Sequence, residues 1–283
     1  MTTGADIAEV MSKEIGSPTG DPESVSPAGT TTRIVLVIEY NGSRYCGLQL
    51  QAKMPTIQGE MEKALKKLTG DSIRVMSASR TDSGVHAKGQ VVSFITGSQL
   101  TPETFISGLN YYLPDDIAVK EAYKADDSFN VRNHAVSREY DYYILNSPTR
   151  SPIWNGFCYH VTGKLDIEAM NRACHHLIGE HDLVSFASNL GVEIKRSRRN
   201  VHHAGVTRDR DFVIFSIKAN SFLPHQVRNT VGALVRVGLS KMTPEEFYSI
   251  MEAKKIGLAG PAAPACGLYL TKVNYKRQFK EEK

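Results

Sequence analysis

Residues 80–87 bring together groups that can carry out nucleophilic or acid–base chemistry. Within seven positions they hold one carboxylate (Asp82), two potential cations and a hydroxyl. An Asp carboxyl with its reference pKa of about 3.9 is ionised at neutral pH unless it is buried without a partner. On a loop held by two strands, Asp82 would be a well-placed nucleophile or base. The alternative is a hairpin loop in which Asp82 caps its own turn and Gly84 takes a positive φ.

A cluster of tyrosines forms the second candidate. On a strand, Tyr140 and Tyr142 point to one face and Tyr143 to the other, because successive side chains alternate. Aromatic packing on a sheet, with each hydroxyl bonded at the edge, explains these residues without any chemistry. The pattern alone favours packing.

The third candidate is an arginine near the start of a predicted helix at residues 227–238. At about 100° per residue, Arg228 lies on the edge of the apolar arc of this helix. A half-buried guanidinium needs an anionic partner. Either a structural Glu or a catalytic Asp could supply that partner, and the pattern does not decide between them.

The densest basic cluster consists of Lys195, Arg196, Arg198 and Arg199. A solvated loop is one interpretation. A contact with RNA phosphates is the other, and it would make binding depend on salt. The net charge is only +4, from 34 basic and 30 acidic residues, so a polyanionic partner is permitted but not demanded.

Two adjacent pairs, His175 with His176 and His181 with Asp182, resemble parts of a metal site. The side chains of His175 and His176 would diverge on a helix, and no carboxylate recurs at ligand spacing near these pairs. We therefore expect no metal. Neither a P-loop nor a G-x-G-x-x-G segment occurs, so a nucleotide cofactor has no support either.

The elements that would position these residues alternate irregularly between strands and helices. Strands are predicted at residues 33–40, 73–79, 90–95, 117–122, 140–145, 157–161, 212–219 and 268–275. Helices are predicted at residues 56–69, 165–178 and 227–238 and from positions 101 and 243. Because strands follow one another as often as they alternate with helices, the pattern predicts an α+β fold with mainly antiparallel sheet.

A length of 283 residues favours two domains. We expect a flexible tail at residues 1–32, an N-terminal catalytic lobe at 33–134 and a C-terminal lobe of similar size at 135–283.

The tail is acidic and has no apolar core like that of a signal peptide, and no apolar run is long enough for a bilayer. We expect a cytoplasmic protein that does not associate with membranes. Its four widely spaced cysteines predict free thiols.

Taken together, the segments resemble the tRNA pseudouridine synthase A family, a match that spans about residues 33–275 in the family's order. The matching segments are YNGSRYCGLQLQ (40–51), TIQGE (56–60), RTDSGVH (80–86), GQVV (89–92), REYDY (138–142), GEHD (179–182), FLPHQVR (222–228) and GLYL (267–270). Two positions depart from the family: Leu48 stands where Trp is common, and Ser83 where Ala is common.

The resemblance implies an isomerase that converts uridine to pseudouridine in the anticodon stem-loop of tRNA, at tRNA positions 38 to 40, without a cofactor. It implies that Asp82 is the nucleophile, that Tyr140 stacks on the uracil and helps to remove the C5 proton, and that Arg228 keeps Asp82 ionised. Arg80 would fill the gap left by the flipped base or bind a phosphate, and Leu268 would form an apolar wall.

The resemblance also implies the pseudouridine synthase fold and a homodimer in which one tRNA spans both subunits. Because Asp82 and Arg228 come from different predicted lobes, we expect the active cleft between the lobes. Two alternatives remain at this point. One is a non-catalytic tRNA-binding or chaperone protein on the same scaffold. The other is a metal-dependent phosphohydrolase that uses His181 and Asp182.

Overall fold

The computed structural model describes residues 31–188, 194 and 196–276. Apart from its last two residues, the predicted tail at 1–32 lies outside these ranges. The strands are β1 (Thr32–Tyr40), β2 (Met76–Ser77), β3 (His86–Thr96), β4 (Ile117–Ala125), β5 (Ala135–Asn146), β6 (Tyr159–Val161), β7 (Gly179–Asp182), β8 (Arg198–Asp209), β9 (Phe212–Ala219) and β10 (Leu268–Tyr275). The helices are α1 (Ile57–Thr69), α2 (Pro102–Tyr112), α3 (Ile167–His175), α4 (Gln226–Gly238) and α5 (Pro244–Glu252).

All ten strands belong to one sheet, whose main path runs β4-β1-β3-β10-β5-β9-β8-β7. The pairs along this path are antiparallel except β3 with β10, which is parallel and short. With the helices flanking this sheet, the predicted α+β class with mainly antiparallel pairing is confirmed. The C-terminal strand β10 thus joins strands from before and after residue 135. The division into two lobes at that residue stays a prediction.

The helix ends follow local capping chemistry. Thr56 caps α1 by accepting a hydrogen bond from the Gly59 backbone N–H, and Gly70 ends the helix at φ +83°. Thr243 and Glu246 form a reciprocal capping box at the start of α5. These starts and ends agree with the predictions from sequence.

Two regions differ from the predictions. The strand predicted at residues 73–79 is reduced to β2, and the polar strands β7 and β8 were not predicted. In β8 a bulge falls between Val201 and His203, so the buried Val201 and Ala204 are three positions apart instead of two. Because the bulge breaks the two-residue period, β8 does not show the apolar alternation by which strands are identified.

His86, at the start of β3, is a buried neutral ring and not a cation of the candidate site. It is only 1% exposed, its Nδ1 accepts a hydrogen bond from the Gly42 N–H, and its Nε2 lies 3.2 Å from the Gly156 carbonyl oxygen. The ring stacks on Tyr269 with centroids 4.6 Å apart. Burial lowers the pKa of His86 below its usual value.

This burial predicts an acid-sensitive fold. The unfolded chain takes up the His86 proton as the pH falls through about 6.5, whereas the folded state takes it up only at lower pH. The stability contributed by the neutral ring is therefore complete above about pH 6.5 and decreases below it, by at most about 1.4 kcal/mol per pH unit.

Urea unfolding at pH 7.5 and pH 5.5 measures this effect. His86→Gln keeps a neutral donor and acceptor, so the variant should be less stable at pH 7.5 but should lose less stability on acidification than the wild type. The chain has nine histidines, and the difference between the two proteins isolates the contribution of His86. Equal losses in both proteins would show that His86 does not cause the acid sensitivity.

Candidate active site

The loop that carries Asp82 lies directly before β3 and is fixed by the preceding residue. The Thr81 carbonyl oxygen accepts a hydrogen bond from the Leu48 N–H at 3.1 Å, and the Thr81 hydroxyl shares one of 2.7 Å with the hydroxyl of Tyr40. Leu48, where the resembled family commonly has Trp, is only 2% exposed. This departure therefore affects a packing contact beside the loop.

The turn of this loop does not use the Asp82 side chain. The Val85 N–H donates to the Asp82 backbone carbonyl oxygen at 3.2 Å, and Gly84 adopts φ +76°. Gly84 thus has the positive φ of the hairpin-loop interpretation, but the turn is closed by the Asp82 backbone and not by its side chain. Because the backbone closes the turn, the Asp82 carboxylate is free to face the cavity described below.

Arg228, in the first turn of α4, reaches Asp82 from a distant part of the chain. Its Nη1 lies 3.4 Å from Asp82 Oδ2, and its Nε donates to the Ala263 carbonyl oxygen at 2.9 Å. The Arg228 side chain is 18% exposed and that of Asp82 34%. Short charge-assisted bonds measure about 2.7–2.9 Å. The longer contact here places a positive charge beside the carboxylate without a tight bidentate pair, so the carboxylate keeps an open side.

His225 is a second neighbour of Asp82 that the sequence analysis does not assign. Its Nε2 lies 3.4 Å from Asp82 Oδ2, and its Nδ1 lies 3.0 Å from the Ser188 hydroxyl oxygen. The residue precedes α4 with a left-handed φ of +57°, which turns its ring towards the loop. It occurs within the FLPHQVR segment, but no local pattern distinguishes its role.

Tyr140 lies on β5, opposite Leu270 of β10 and Ile217 of β9. Its ring meets Phe222 edge to face, with centroids 5.1 Å apart, and its hydroxyl shares a 3.0 Å hydrogen bond with the Ser79 hydroxyl. Burial raises the pKa of Tyr140 to about 12. The phenol is therefore neutral at pH 7, and in the free protein it is a hydrogen-bonding group and not a base.

A cavity of about 450 Å³ brings the predicted residues together. Its lining includes Arg80, Asp82, Tyr140, Arg228 and Leu268. Leu268 begins β10, the strand that joins the two parts of the sheet, and contributes an apolar wall. The lining comes from both sides of residue 135, and the volume falls in the usual range for small-molecule sites.

Arg138 supports this cavity through the backbone. Its guanidinium donates to four carbonyl oxygens, at distances of 2.9–3.2 Å, which belong to Ala78, Arg132, Ala135 and Asn220. Ala78 leads into the Asp82 loop, and Asn220 leads into the segment that carries Arg228. No sequence pattern assigned Arg138 a role. Its position two residues before Tyr140, on the same face of β5, is the feature that could have identified it.

The basic cluster does not form one uniform face. Arg198 pairs with Glu180 at 2.8 Å, whereas Arg199, the next residue of β8, donates to the carbonyl oxygens of Arg196 and Arg198. The Arg196 side chain is exposed, and Lys195 lies outside the described residues. Residues 198–199 belong to a strand and not to a loop. A contact of these arginines with RNA stays a prediction.

His181 and Asp182 make local structural contacts. His181 Nε2 lies 2.9 Å from the Ile178 carbonyl oxygen, and Asp182 Oδ1 accepts a hydrogen bond from the Val184 N–H. Within residues 31–188, 194 and 196–276, no three His, Cys, Asp or Glu side chains are grouped to hold a metal ion. In the same part of the chain, every helix is too short or too polar to cross a bilayer.

Known proteins are similar to this chain over most of its length. The model of a family described as tRNA pseudouridine synthase matches residues 36–132 and 173–276. The chain is 40% identical over 241 residues to tRNA pseudouridine synthase A of Francisella tularensis subsp. novicida, which covers 85% of this chain and 93% of the relative.

Two further relatives with the same name show similar agreement. The protein from Acetivibrio thermocellus is 42% identical over 242 residues, covering 86% of this chain and 99% of its own length. The protein from Shewanella sediminis is 40% identical over 247 residues, covering 87% of this chain and 94% of its own. The ranges that the family model matches include Asp82, Arg228 and Leu268, whereas Tyr140 lies between them. This chain therefore belongs to the tRNA pseudouridine synthase family.

Proposed function

We propose that this chain isomerises uridine to pseudouridine in the anticodon stem-loop of tRNA, at positions 38 to 40, with Asp82 as the nucleophile. The observation that carries the proposal is the contact between Asp82 and Arg228 in a cavity that also offers a tyrosine ring and an apolar wall. The names of the relatives support tRNA as the substrate.

The reaction needs no oxidant, reductant or second substrate. The N1–C1′ glycosidic bond breaks, the uracil turns, and a C5–C1′ bond forms. The proton on C5 is lost and N1 gains a proton, so the product has the composition of the substrate. The required groups are a carboxylate near the sugar, a surface that holds the detached uracil, and a route for one proton.

The cavity supplies each of these groups. A paired uridine must leave the helix, which costs a few kcal/mol, and a stacking surface and an apolar pocket offset that cost. Tyr140 and Leu268 provide this surface. Arg228 Nη1 lies 3.4 Å from Asp82 Oδ2, so a positive charge stands beside the carboxylate in the pocket that the uridine would fill.

The C5 proton must pass to a base late in the reaction, and Tyr140 is the candidate that the family resemblance indicates. Since the pKa of Tyr140 is raised to about 12, its hydroxyl is a poor base alone. We therefore assign it a relay role, in which the phenol oxygen accepts the C5 proton while its own O–H proton passes to solvent water. The hydrogen bond with Ser79 holds the phenol in position.

Tritium release from tRNA labelled at uracil C5 tests the isomerase proposal. The wild type should release tritium without an added cofactor or metal. A non-catalytic tRNA-binding or chaperone protein would bind the tRNA and release none. A metal-dependent phosphohydrolase would instead cleave phosphate esters only after a metal ion is added.

We further propose a cytoplasmic homodimer in which one tRNA contacts both subunits, as the family resemblance implies. The mass of the free protein in solution, measured by sedimentation, should correspond to two chains. A monomeric mass at micromolar concentration would contradict this part of the proposal.

A further inference from the structure

A second cavity of about 320 Å³ adjoins the catalytic cavity. Arg80 and Arg132 line both cavities and therefore stand at the boundary between them. The rest of the second cavity is lined by Gln49, Leu50, Gln58, Arg74, Val75, Met76 and Ser77. A polymer that places one unit in the catalytic cavity can extend its next unit past these two arginines.

The boundary between the cavities carries positive charge that the protein does not neutralise. Among the residues that the structure describes, no carboxylate lies within 4 Å of Arg80 or Arg132, whereas Arg74 pairs with Glu62 at 3.3 Å. Burial and the nearby charges of Arg80 and Arg138 lower the pKa of Arg132. Guanidinium groups that lie close together without counter-ions form a favourable site for an anion such as a phosphate.

The backbone of Arg132 is held in place before any ligand binds. Its N–H donates to the Asn130 side-chain oxygen at 3.1 Å, and its carbonyl oxygen accepts from Arg138 at 3.0 Å. Arg138 also binds the Ala78 carbonyl oxygen, close to Arg80. One buried guanidinium therefore links the two backbone segments from which these arginines extend, and such preorganisation lowers the entropy lost on binding.

The wall of the second cavity is partly apolar. Leu50 and Met76 belong to the large apolar side chains that stay exposed. A nucleotide combines a charged phosphate with the flat faces of a ribose and a base. Cations at the boundary and apolar groups in the wall match this combination.

We infer that Arg132, together with Arg80, binds the backbone phosphate next to the target uridine, and that the second cavity holds the nucleotide attached to that phosphate. This inference rests on the proposed function, because it takes the uridine to occupy the catalytic cavity. It assigns Arg132 to substrate binding and not to the bond-breaking step.

Neutral substitutions in both protein and RNA test this contact. The probes are an anticodon stem-loop RNA and two copies of it, each with an uncharged methylphosphonate at the phosphate on the 5′ or the 3′ side of the target uridine. One of the two neutral RNAs should bind the wild type about tenfold more weakly than the native RNA does. Arg132→Gln should bind the native RNA about tenfold more weakly than the wild type does. This variant should bind the native RNA and that neutral RNA with equal affinity.

Salt dependence and turnover separate this role from a structural one. For Arg132→Gln, the slope of log affinity against log salt should fall by about one, with kcat nearly unchanged. Arg132→Lys should restore the slope, because it keeps the charge. Arg210→Gln, an exposed position in the turn between β8 and β9, is the matched control and should behave as the wild type does.

Two results would overturn the inference. In the first, the neutral RNAs lose as much affinity for Arg132→Gln as for the wild type. In the second, neither neutral RNA binds the wild type more weakly than the native RNA does. A wild type that forms no pseudouridine would instead contradict the proposed function. A wild type that forms pseudouridine, while Arg132→Gln keeps an unchanged salt slope, would refute only the role of Arg132.

Discussion

Replacing Asp82 by Asn should reduce pseudouridine formation at least about ten-thousandfold while tRNA affinity changes little. Loss of a nucleophile in a preorganised site has effects of this size. Asn has nearly the same shape and keeps an oxygen that can accept from Arg228, so the cavity should stay intact. The Asp82 side chain is only partly buried, and the variant should therefore fold.

Tritium release under single-turnover conditions measures this effect, and filter binding of the same tRNA measures affinity. Asp209→Asn, at the exposed end of β8, is the matched control and should react at the wild-type rate. If Asp82→Asn released tritium as fast as the wild type, the carboxylate would have no part in the reaction. A parallel loss of affinity would point to a role in binding.

Replacing Arg228 by Leu should lower turnover about a hundred- to a thousandfold with little change in tRNA affinity. Removing one preorganised group that stabilises charge has effects of this size. The variant leaves Asp82 without its nearest guanidinium and removes the donor to the Ala263 carbonyl oxygen. The Arg228 side chain is only 18% exposed and already faces Asp82, so we expect it to contribute little to binding of the RNA backbone.

Single-turnover rates at saturating enzyme measure the turnover of bound tRNA independently of the tRNA affinity. Arg236→Leu, further along α4 and outside the cavity lining, is the control on the same helix. Arg228→Lys should recover part of the rate, since it returns the charge but not the planar guanidinium. A large loss of affinity for Arg228→Leu, with the turnover of bound tRNA unchanged, would contradict the placement of this residue at the nucleophile.

Local chemistry explains why many elements could be predicted from sequence. Thr56, Gly70 and Thr243 mark helix ends through side-chain and backbone groups within a few residues. The strand β1 contains an uninterrupted run of β-branched and aliphatic residues at positions 34–38. By contrast, β8 is polar and bulged, so its apolar period is interrupted and the strand could be recognised only from its pairing with β9.

The same distinction holds for the site. Asp82, Tyr140 and Arg228 lie in segments of the family, and the structure places all three around one cavity. Arg138 also lies in such a segment, but its role could not be assigned from sequence, because its partners Ala78 and Asn220 are 60 and 82 positions away. The role of a buried guanidinium that binds backbone carbonyl oxygens depends on the assembled sheet and not on its neighbours in sequence.

We propose that the Asp82 cavity converts a specific uridine of tRNA. The decisive experiment is to map pseudouridine at single-nucleotide resolution in an unmodified tRNA transcript after incubation with the purified wild type. We expect pseudouridine at one or more of tRNA positions 38, 39 and 40. An unchanged transcript, or pseudouridine found only outside the anticodon stem-loop, would contradict it.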